Sequence, residues 1–421
     1  MNEMITQPSK CQVCLKISIR DVLEYVFMLI VFLFGQSVYI RMIDSASRYI
    51  YFAWAASIVM GLLILLERNV SISALKRGIL LLVTLLVYLM FSKVGWQVVI
   101  YQMCIPFFLC VLYCSNQWLN GRMKFFLRKF ADITIFFTLI SIILYILGTC
   151  IHFLPQSIDS YSWKGVTTES ANYFHLMYEA QTQEFFGIEF IRNCGIFCEA
   201  PSYAVPLLFS LSYELHVPKK VSVFRIGVLL LAILTSFSTK ALIIALVASG
   251  LYLINYAYGR RTAYSSNLRS VLKLFLPIIL IVIGIIGFAI FDQKTDSGSY
   301  IVRMDNINAC FQAFMSHKLF GVGVGNETAL ANYVSIVLEW QGFAMGLPVL
   351  LGEGGIYLVL FYALAFVHAI KNTQYKFPMI SFEIILILVM FTSNIPYFLS
   401  IIFILAMEYS VPMKSTTQVT E

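Results

Sequence analysis

The chain has 421 residues, of which 60% are hydrophobic and only 12% charged, with a formal net charge of +7. Soluble proteins carry roughly 25% charged residues, and a soluble domain of this length could not bury so much apolar surface, so the composition excludes a soluble fold. Apolar runs near the ~20 residues that cross a ~30 Å hydrocarbon core recur along the sequence. Because that core holds no water to bond backbone polar groups, the spans are predicted to be α-helices.

These runs predict an all-α polytopic membrane protein with about twelve transmembrane helices in a single membrane domain, residues 1–421. The apolar runs lie at residues 22–40, 49–66, 78–92, 97–115, 131–151, 201–217, 225–239, 240–257, 271–291, 347–370, 378–393 and 396–411.

Lysine and arginine favour the cytoplasmic side of a membrane protein, so their positions orient the chain. With the N-terminus inside, all but nine of the 29 basic residues fall in cytoplasmic loops. The nine that face outward are Arg41, Arg48, Lys93, Lys164, Arg192, Lys240, Lys294, Arg303 and Lys318. Twelve spans return the C-terminus to the cytoplasm, so both termini are predicted to be cytoplasmic. The polar, lysine-bearing start is predicted to lead into a retained anchor.

Two predicted extracytoplasmic loops, residues 152–200 and 292–346, are far longer than the cytoplasmic connections. Loops beyond ~12–15 residues are usually functional or disordered, and both of these contain many aromatic side chains. Ile301, Met304 and Ile307 recur at helical spacing, which predicts that the loops fold as amphipathic helices lying on the membrane. The cytoplasmic loops leave no room for a nucleotide-binding domain, so the chemistry is predicted to reside outside.

The first long loop ends in the stretch Arg192–Tyr203, which runs directly into a span. Arginine stays charged at physiological pH and can bind a phosphate through two parallel hydrogen bonds, so Arg192 is a candidate phosphate ligand. Glu199 lies at the predicted membrane surface, where partial desolvation favours a general base. The alternative is an interfacial Arg192–Glu199 ion pair that caps a helix. Pro201 predicts that this helix begins near Ser202.

A hydroxyl-rich segment, residues 235–239, precedes Lys240 between two apolar runs with almost no loop. A lysine at the outer end of such a hairpin is costly unless it extends to the membrane surface or meets an anion. The sequence is consistent with both outcomes, but the neighbouring hydroxyl groups favour a polar pocket. Lys240 is therefore a second candidate anion ligand.

The second long loop contributes Arg303 and Asp305, followed by glycines at alternate positions. Glycine lets backbone N–H groups approach an anion closely, so Gly321 and Gly323 are candidates for a phosphate cradle, although glycines alone indicate only a turn. Asp305 is a second candidate base after Glu199. Further along, the segment 352–355 places a glutamate inside a span, where helix packing is its expected role.

Metal, cofactor and nucleic-acid chemistry have no support in the sequence motifs. The five histidines are dispersed and the chain lacks a Walker loop or an HExxH motif, so neither a metal nor a cofactor is predicted. Cys11 and Cys14 form a lone CxxC without a second pair, a weak indication of zinc. For Cys194 and Cys198, free thiols and a disulfide are both consistent with an outer loop.

In its order of spans, loops and motifs the chain resembles the bacterial O-antigen and capsule polysaccharide polymerase family, which is related to the O-antigen ligases. The stretch Arg192–Tyr203 is similar to that family's Arg-x-x-Gly-x-Phe-x-Glu-Pro pattern, with Ala200 inserted before the proline. Lys240 follows a Ser/Thr-rich turn like the family's, and Arg303 precedes a similar Gly-x-Gly run. The segment 352–355 is similar to the glycine-bearing segment that opens the family's next helix.

One departure from the related ligases favours a polymerase. Those ligases have a histidine followed by asparagine shortly before that helix, and residues 341–346 contain neither. The resemblance then implies a metal-independent glycosyltransferase of lipid-linked, GT-C-like architecture at the outer face of the bacterial cytoplasmic (inner) membrane. It implies transfer of a growing glycan from undecaprenyl pyrophosphate to the non-reducing end of a new lipid-linked repeat unit, building lipopolysaccharide O-antigen or capsule.

The residues assigned to this reaction fall into three roles. Cationic groups would hold the departing pyrophosphate, a carboxylate would accept the proton of the acceptor hydroxyl, and polar groups would contact sugars. The candidate cations are Arg192, Lys240 and Arg303. The candidate bases are Glu199 and, second, Asp305. The candidate sugar contacts are Tyr203 and Asn326. The expected partners are undecaprenyl-pyrophosphate-linked oligosaccharides and membrane lipid, together with a chain-length regulator and a flippase.

Two other functions stay open from the sequence: an O-antigen ligase, and a lipid-linked oligosaccharide flippase or another transporter. A transporter usually places polar residues deep within several helices and keeps its loops short. Here the charges inside the predicted spans are few, and polar residues concentrate in the outer loops. This distribution favours the polymerase.

Overall fold

The computed structural model describes residues 18–43, 48–67, 69–92, 100–120, 122–163, 166–185, 188–218, 220–258, 298–335, 342–372 and 376–393, with short pieces between 270 and 285. Helices dominate these ranges, as predicted for a membrane protein. The predicted span 396–411, most of the span 271–291 and the CxxC at Cys11 and Cys14 lie outside the described residues.

The helices follow one another along the described chain. Their bounds are α1 (Ile19–Phe34), α2 (Val38–Arg41), α3 (Arg48–Leu65), α4 (Ile72–Phe91), α5 (Ile105–Leu119), α6 (Met123–Leu144), α7 (Ala200–His216), α8 (Val223–Thr235), α9 (Thr239–Tyr258), α10 (Gly298–Ser316), α11 (Glu327–Ala331), α12 (Gly346–Asn372) and α13 (Lys376–Thr392). A π-helical turn, Ile100–Cys104, precedes α5, and another, Tyr145–Cys150, extends α6.

Within the described ranges, four helical stretches are long and apolar enough to cross a membrane: Ile72–Phe91, Phe126–Cys150, Thr239–Tyr258 and Gly346–Lys371. Large apolar side chains point outward from the helices; on α4, for example, Met90 is 78% exposed. Such a surface is unfavourable in water, whereas lipid tails are as apolar as the side chains themselves. The exposed apolar faces therefore fit a helical protein that associates with a membrane.

The first long loop is built of strands, so the all-α prediction, and with it the prediction of amphipathic helices, is wrong there. Strands β1 (Ser157–Trp163), β2 (Val166–Tyr173) and β3 (Met177–Tyr178) form an antiparallel sheet in that order, and β4 (Thr182–Phe185) pairs with β5 (Ile188–Ile191). Serine, threonine and asparagine side chains compete for backbone hydrogen bonds and disfavour helix interiors, while threonine and tyrosine favour strands. The strand-favouring residues of this loop therefore explain why it does not form the predicted helices.

In the second long loop the predicted helix is confirmed as α10, which contains Ile301, Met304 and Ile307. Its exposed face includes Ile301 and Met304, and its opposite face buries Ala309 and Cys310. The buried face packs against α12. The small side chains on that face let the two helix backbones approach closely.

Helix α7 lies at the centre of the bundle, packed against α6, α8, α9 and α13. All its residues except Pro201 are buried. Phe209 meets the edge of Phe130 on α6 at 5.0 Å between ring centroids and of Phe382 on α13 at 5.7 Å. The N-terminus of this buried helix follows directly on the first long loop, so the loop is joined to the most central element of the fold.

The exposed thiol of Cys150 provides a test of the predicted orientation. It lies where α6 ends and the first long loop begins, and the other described cysteines are buried. We expect a membrane-impermeant maleimide, added to intact spheroplasts, to label the wild-type chain and not the Cys150→Ser chain. Labelling that needs permeabilised membranes would contradict the outward orientation of this loop.

Candidate functional site

Arg192 follows β5 and binds both to its own loop and to the turn between α8 and α9. Its Nε donates to the Ser236 carbonyl at 2.9 Å and its Nη1 to the Gln181 side-chain oxygen at 3.1 Å. Among the described residues Nη2 has no hydrogen-bond partner. Burial lowers the pKa of the guanidinium, but arginine stays charged at physiological pH. The side chain is therefore a positioned cation with one nitrogen left for a ligand.

Asn193, which is fully buried, joins the same hairpin to two helices. Its N–H donates to the Thr235 carbonyl at 3.0 Å, and its Nδ2 donates to Thr235 Oγ1 at 3.2 Å. The Ser141 hydroxyl of α6 donates to Asn193 Oδ1 at 2.5 Å. Asn193 and Gln181 were missed in the sequence because their partners are far along the chain and no local pattern indicates them.

Lys240 lies in the first turn of α9, four residues after Ser236. Its Nζ donates to the Ser393 hydroxyl at 2.6 Å, just beyond the end of α13. The charges of Glu199, Arg303 and Arg192 all act on its ammonium. The fold thus brings four predicted site residues into one region, which we call the outer cation cluster: Arg192, Lys240 and Arg303 with Glu199. Arginine stays charged at physiological pH, so the two guanidinium groups alone exceed the single carboxylate in charge.

Glu199 is the N-cap residue of α7, with an extended backbone. Its carboxylate accepts a hydrogen bond from the Ser202 hydroxyl at 2.9 Å, and a negative charge is favourable at a helix N-terminus. The ion pairs of the described chain do not include one between Arg192 and Glu199. The alternative of an Arg192–Glu199 ion pair is therefore not realised. The predicted helix begins at Ala200, two residues before its predicted start.

Asp305 and Tyr203, two other predicted site residues, have contacts that hold the fold together. The carboxylate of Asp305 is buried and accepts the Ser335 N–H at 3.1 and 3.2 Å. Tyr203 is 1% exposed and stacks on Phe197 with ring centroids 5.6 Å apart. The structure does not place either side chain among the groups that act on Lys240.

The glycine run of the second loop packs directly against α12. The N–H of Gly321 donates to the His317 carbonyl and that of Gly323 to the Glu353 carbonyl, both at 2.9 Å. A Cβ on Gly321 would lie 2.2 Å from the Glu353 oxygen. The two N–H groups proposed for a phosphate cradle therefore bind protein carbonyl groups in this structure.

Helix α12 is interrupted at this contact, where Gly355 has a φ of 59° and a ψ of −165°. The N–H groups of Ile356 and Tyr357 donate to the carbonyls of Lys318 and Leu319 at 2.9 and 3.1 Å. We call the packing of residues 318–325 against residues 352–357 the glycine interface. The Glu353 carboxylate accepts the Gly325 N–H at 2.9 Å, which gives it the packing role expected from the sequence.

Cys194 and Cys198 are free thiols in the structure, so the disulfide alternative is not realised. Burial raises the pKa of the Cys194 thiol to about 12. A thiol of that pKa stays protonated and is a poor nucleophile or metal ligand. Among the described residues no group of three or more His, Cys, Asp or Glu side chains could hold a metal ion.

No protein-family model matches the chain, and searches of curated proteins and of solved structures find no similar protein. The resemblance to the polysaccharide polymerases therefore stays a prediction, and function is inferred from the geometry of the outer cation cluster.

The glycine interface predicts a difference between two glycine substitutions. Both Gly321 and Gly325 have left-handed backbones, but the space around the Gly325 Cα is open whereas Gly321 lies against the Glu353 backbone. We expect Gly325→Ala to cost about 1–2 kcal/mol from backbone strain, and Gly321→Ala to cost about 1–3 kcal/mol more from overpacking. The readout is the apparent melting temperature in detergent, and equal shifts would contradict a close contact at Gly321.

Proposed function

We propose that the chain is a polymerase of lipid-linked glycans, a glycosyltransferase that joins oligosaccharide repeat units into O-antigen or capsular polysaccharide. It transfers the growing glycan from undecaprenyl pyrophosphate to the non-reducing end of a new lipid-linked unit at the outer face of the bacterial cytoplasmic membrane. The observation that carries the proposal is the convergence of Arg192, Lys240 and Arg303, from three separate elements, beside Glu199.

The charge of the outer cation cluster suits a departing pyrophosphate. Breaking the bond between sugar and phosphate leaves negative charge on phosphate oxygens, and fixed cations lower the free energy of that transition state. Arg192 is held in place by Ser236 and Gln181, and Lys240 by Ser393. Because partial burial reduces screening by water, each cation is worth more here than on an open surface.

The carboxylate in the cluster suits the second half of the reaction. The acceptor hydroxyl must lose a proton as it attacks the sugar carbon, and a general base must lie within hydrogen-bond reach. Glu199 Oε1 accepts the Ser202 hydroxyl, and its second oxygen has no hydrogen-bond partner among the described residues. Asp305, by contrast, is occupied by the Ser335 N–H. This difference supports Glu199 over Asp305 as the base.

The proposal includes the architecture that the described helices leave open. About twelve spans in a GT-C-like arrangement place both termini in the cytoplasm and both long loops outside. Substrates anchored by a polyprenyl chain then reach the cluster from the lipid, while the two loops align donor and acceptor. A flippase supplies the lipid-linked units, and a chain-length regulator acts on the product.

A transporter of lipid-linked oligosaccharides is the second candidate, because two features inside the spans resemble transporter helices. Helix α12 is interrupted at Gly355, and discontinuous helices often form transport sites. Glu383 on α13 is 2% exposed, and neither carboxylate oxygen has a hydrogen-bond partner among the described residues. These features lie away from the contacts of the outer cation cluster, so the two functions predict different sensitive residues.

The chain length of surface polysaccharide from cells lacking the gene distinguishes a polymerase from a transporter. We expect the long ladder of chain lengths to collapse to single repeat units, and Arg192→Ala not to restore it, because the donor pyrophosphate loses a bound cation. Electrophoresis of the glycan reads out the result. Loss of all surface glycan would indicate a transporter or a ligase instead, and an unchanged ladder would exclude all three.

Purified protein with a lipid-linked oligosaccharide tests the cations one at a time. We expect Lys240→Ala and Arg303→Ala each to lower the polymerisation rate by about 10²–10³-fold, as for other groups that stabilise transition-state charge. Lys318→Ala is the matched control, since Lys318 is exposed in the same loop as Arg303. Equal rates for Lys240→Ala and Lys318→Ala would contradict the role of the cluster.

A further inference from the structure

A cleft of about 190 Å³ opens in the second long loop, between the end of α10 and the short helix α11. It is lined by His317, Val322, Asn326, Ala329, Asn332 and Tyr333. Pockets for drug-sized ligands have volumes of roughly 300–1,000 Å³, so this cleft is too small for a whole lipid-linked unit. A ligand the size of a single sugar ring is the largest fragment that such a cleft could take.

The lining has the chemistry of a site for a neutral, hydroxyl-bearing ring. It combines an imidazole, two carboxamides and a phenol with the small apolar side chains of Val322 and Ala329, and none of the lining residues is a carboxylate, lysine or arginine. Carboxamides both donate and accept hydrogen bonds, as sugar hydroxyls do. The tyrosine ring offers an apolar face for the C–H face of a pyranose.

Three of the lining side chains are available to a ligand. His317, Asn332 and Tyr333 make no side-chain hydrogen bond to the described residues. Asn326 is occupied, because it accepts the Ala329 N–H at the start of α11 and donates to the Val322 carbonyl at 3.2 Å. Asn326, predicted from the sequence as a sugar contact, therefore forms part of the wall of the cleft, and the neighbouring side chains are the ones available to a ligand.

The cleft begins just past the C-terminal end of α10, the helix that carries Arg303. His317 follows the end of that helix, about 21 Å from Arg303 at 1.5 Å per residue. At its other side, Tyr333 precedes by two residues Ser335, whose N–H binds Asp305 next to Arg303. Tyr333 also packs against a small apolar cluster to which α10 contributes. The His317 side of the cleft therefore lies at the opposite end of α10 from Arg303.

We propose that this cleft binds one neutral pyranose unit of the glycan, some sugar units away from the pyrophosphate. Tyr333 stacks on the ring, and the side chains of Asn332 and His317 bind its hydroxyls. The identity of the glycan rests on the proposed function, since the reaction there needs an extended sugar chain beside the cations. Holding a distal unit orients the chain and lowers the entropic cost of the transfer.

Saturation-transfer NMR with the full chain in lipid nanodiscs tests the cleft directly. The probes are methyl α-glucoside, methyl α-galactoside and methyl β-N-acetylglucosaminide. We expect at least one to receive saturation from the wild-type protein, and Tyr333→Ala to reduce the transfer about fivefold to tenfold, the effect of losing an aromatic contact. Tyr333→Phe, which keeps the ring, retains most of it. Asn332→Ala reduces transfer, whereas the matched control Asn308→Ala, an exposed asparagine on α10 outside the cleft, does not.

The outcomes separate this proposal from the proposed function. Absence of transfer to all three probes, or equal transfer with wild type and Tyr333→Ala, overturns the sugar site. If transfer depends on Tyr333 but the protein forms no polymer from lipid-linked units, the sugar site stands and the polymerase falls. If polymer forms and Tyr333→Ala changes neither KM for the lipid-linked unit nor chain length, the polymerase stands and the sugar site falls.

Discussion

The hydrogen bonds from Arg192 and Asn193 to Ser236 and Thr235 are the constraint on which the rest of the outer site depends. These bonds join an outer hairpin to the turn between α8 and α9, so a loop that could move freely is fixed to the helical bundle. Lys240 is the second residue of α9, directly after that turn, and Glu199 is the N-cap of the central helix α7. Because buried polar groups are costly to leave without partners, the junction has one favourable arrangement and thereby positions two cations and a carboxylate.

The glycine interface is the corresponding constraint on the second long loop. Residues 318–325 exchange backbone hydrogen bonds with the interrupted part of α12, and Tyr88 accepts the Val324 N–H while donating to the Glu353 carbonyl. The interruption of α12 leaves backbone groups that would be unpaired in lipid, and the loop satisfies them. Small residues permit this approach, and α10 is thereby held against the bundle with Arg303 near its outer start. The third cation reaches the cluster through this second contact.

These two constraints explain how a mostly apolar protein can concentrate positive charge in one region. Cations repel one another, and here the Ser236 carbonyl holds Arg192, the Ser393 hydroxyl holds Lys240, and the charge of Glu199 also acts on Lys240. In the proposed reaction an incoming pyrophosphate would compensate the remaining charge, while the neutral amide and aromatic groups of the proposed cleft would bind a sugar unit.

The sequence by itself determined the apolar, mostly helical character that fits a membrane protein, and it named Arg192, Lys240, Arg303 and Glu199 as candidate site residues. Apolar length and the rarity of charged residues are local properties, and a charged residue in an apolar chain is conspicuous without any knowledge of its partners. The strands of the first loop pair residues that are close in the chain and follow from its composition. The bond from the Gly323 N–H to the Glu353 carbonyl and the bond from the Ser335 N–H to Asp305 were decided only by tertiary structure, because each joins residues far apart in the chain. Side chains such as Gln181, Asn193 and Ser393 have no distinguishing pattern until folding brings Arg192, Ser141 and Lys240 to them.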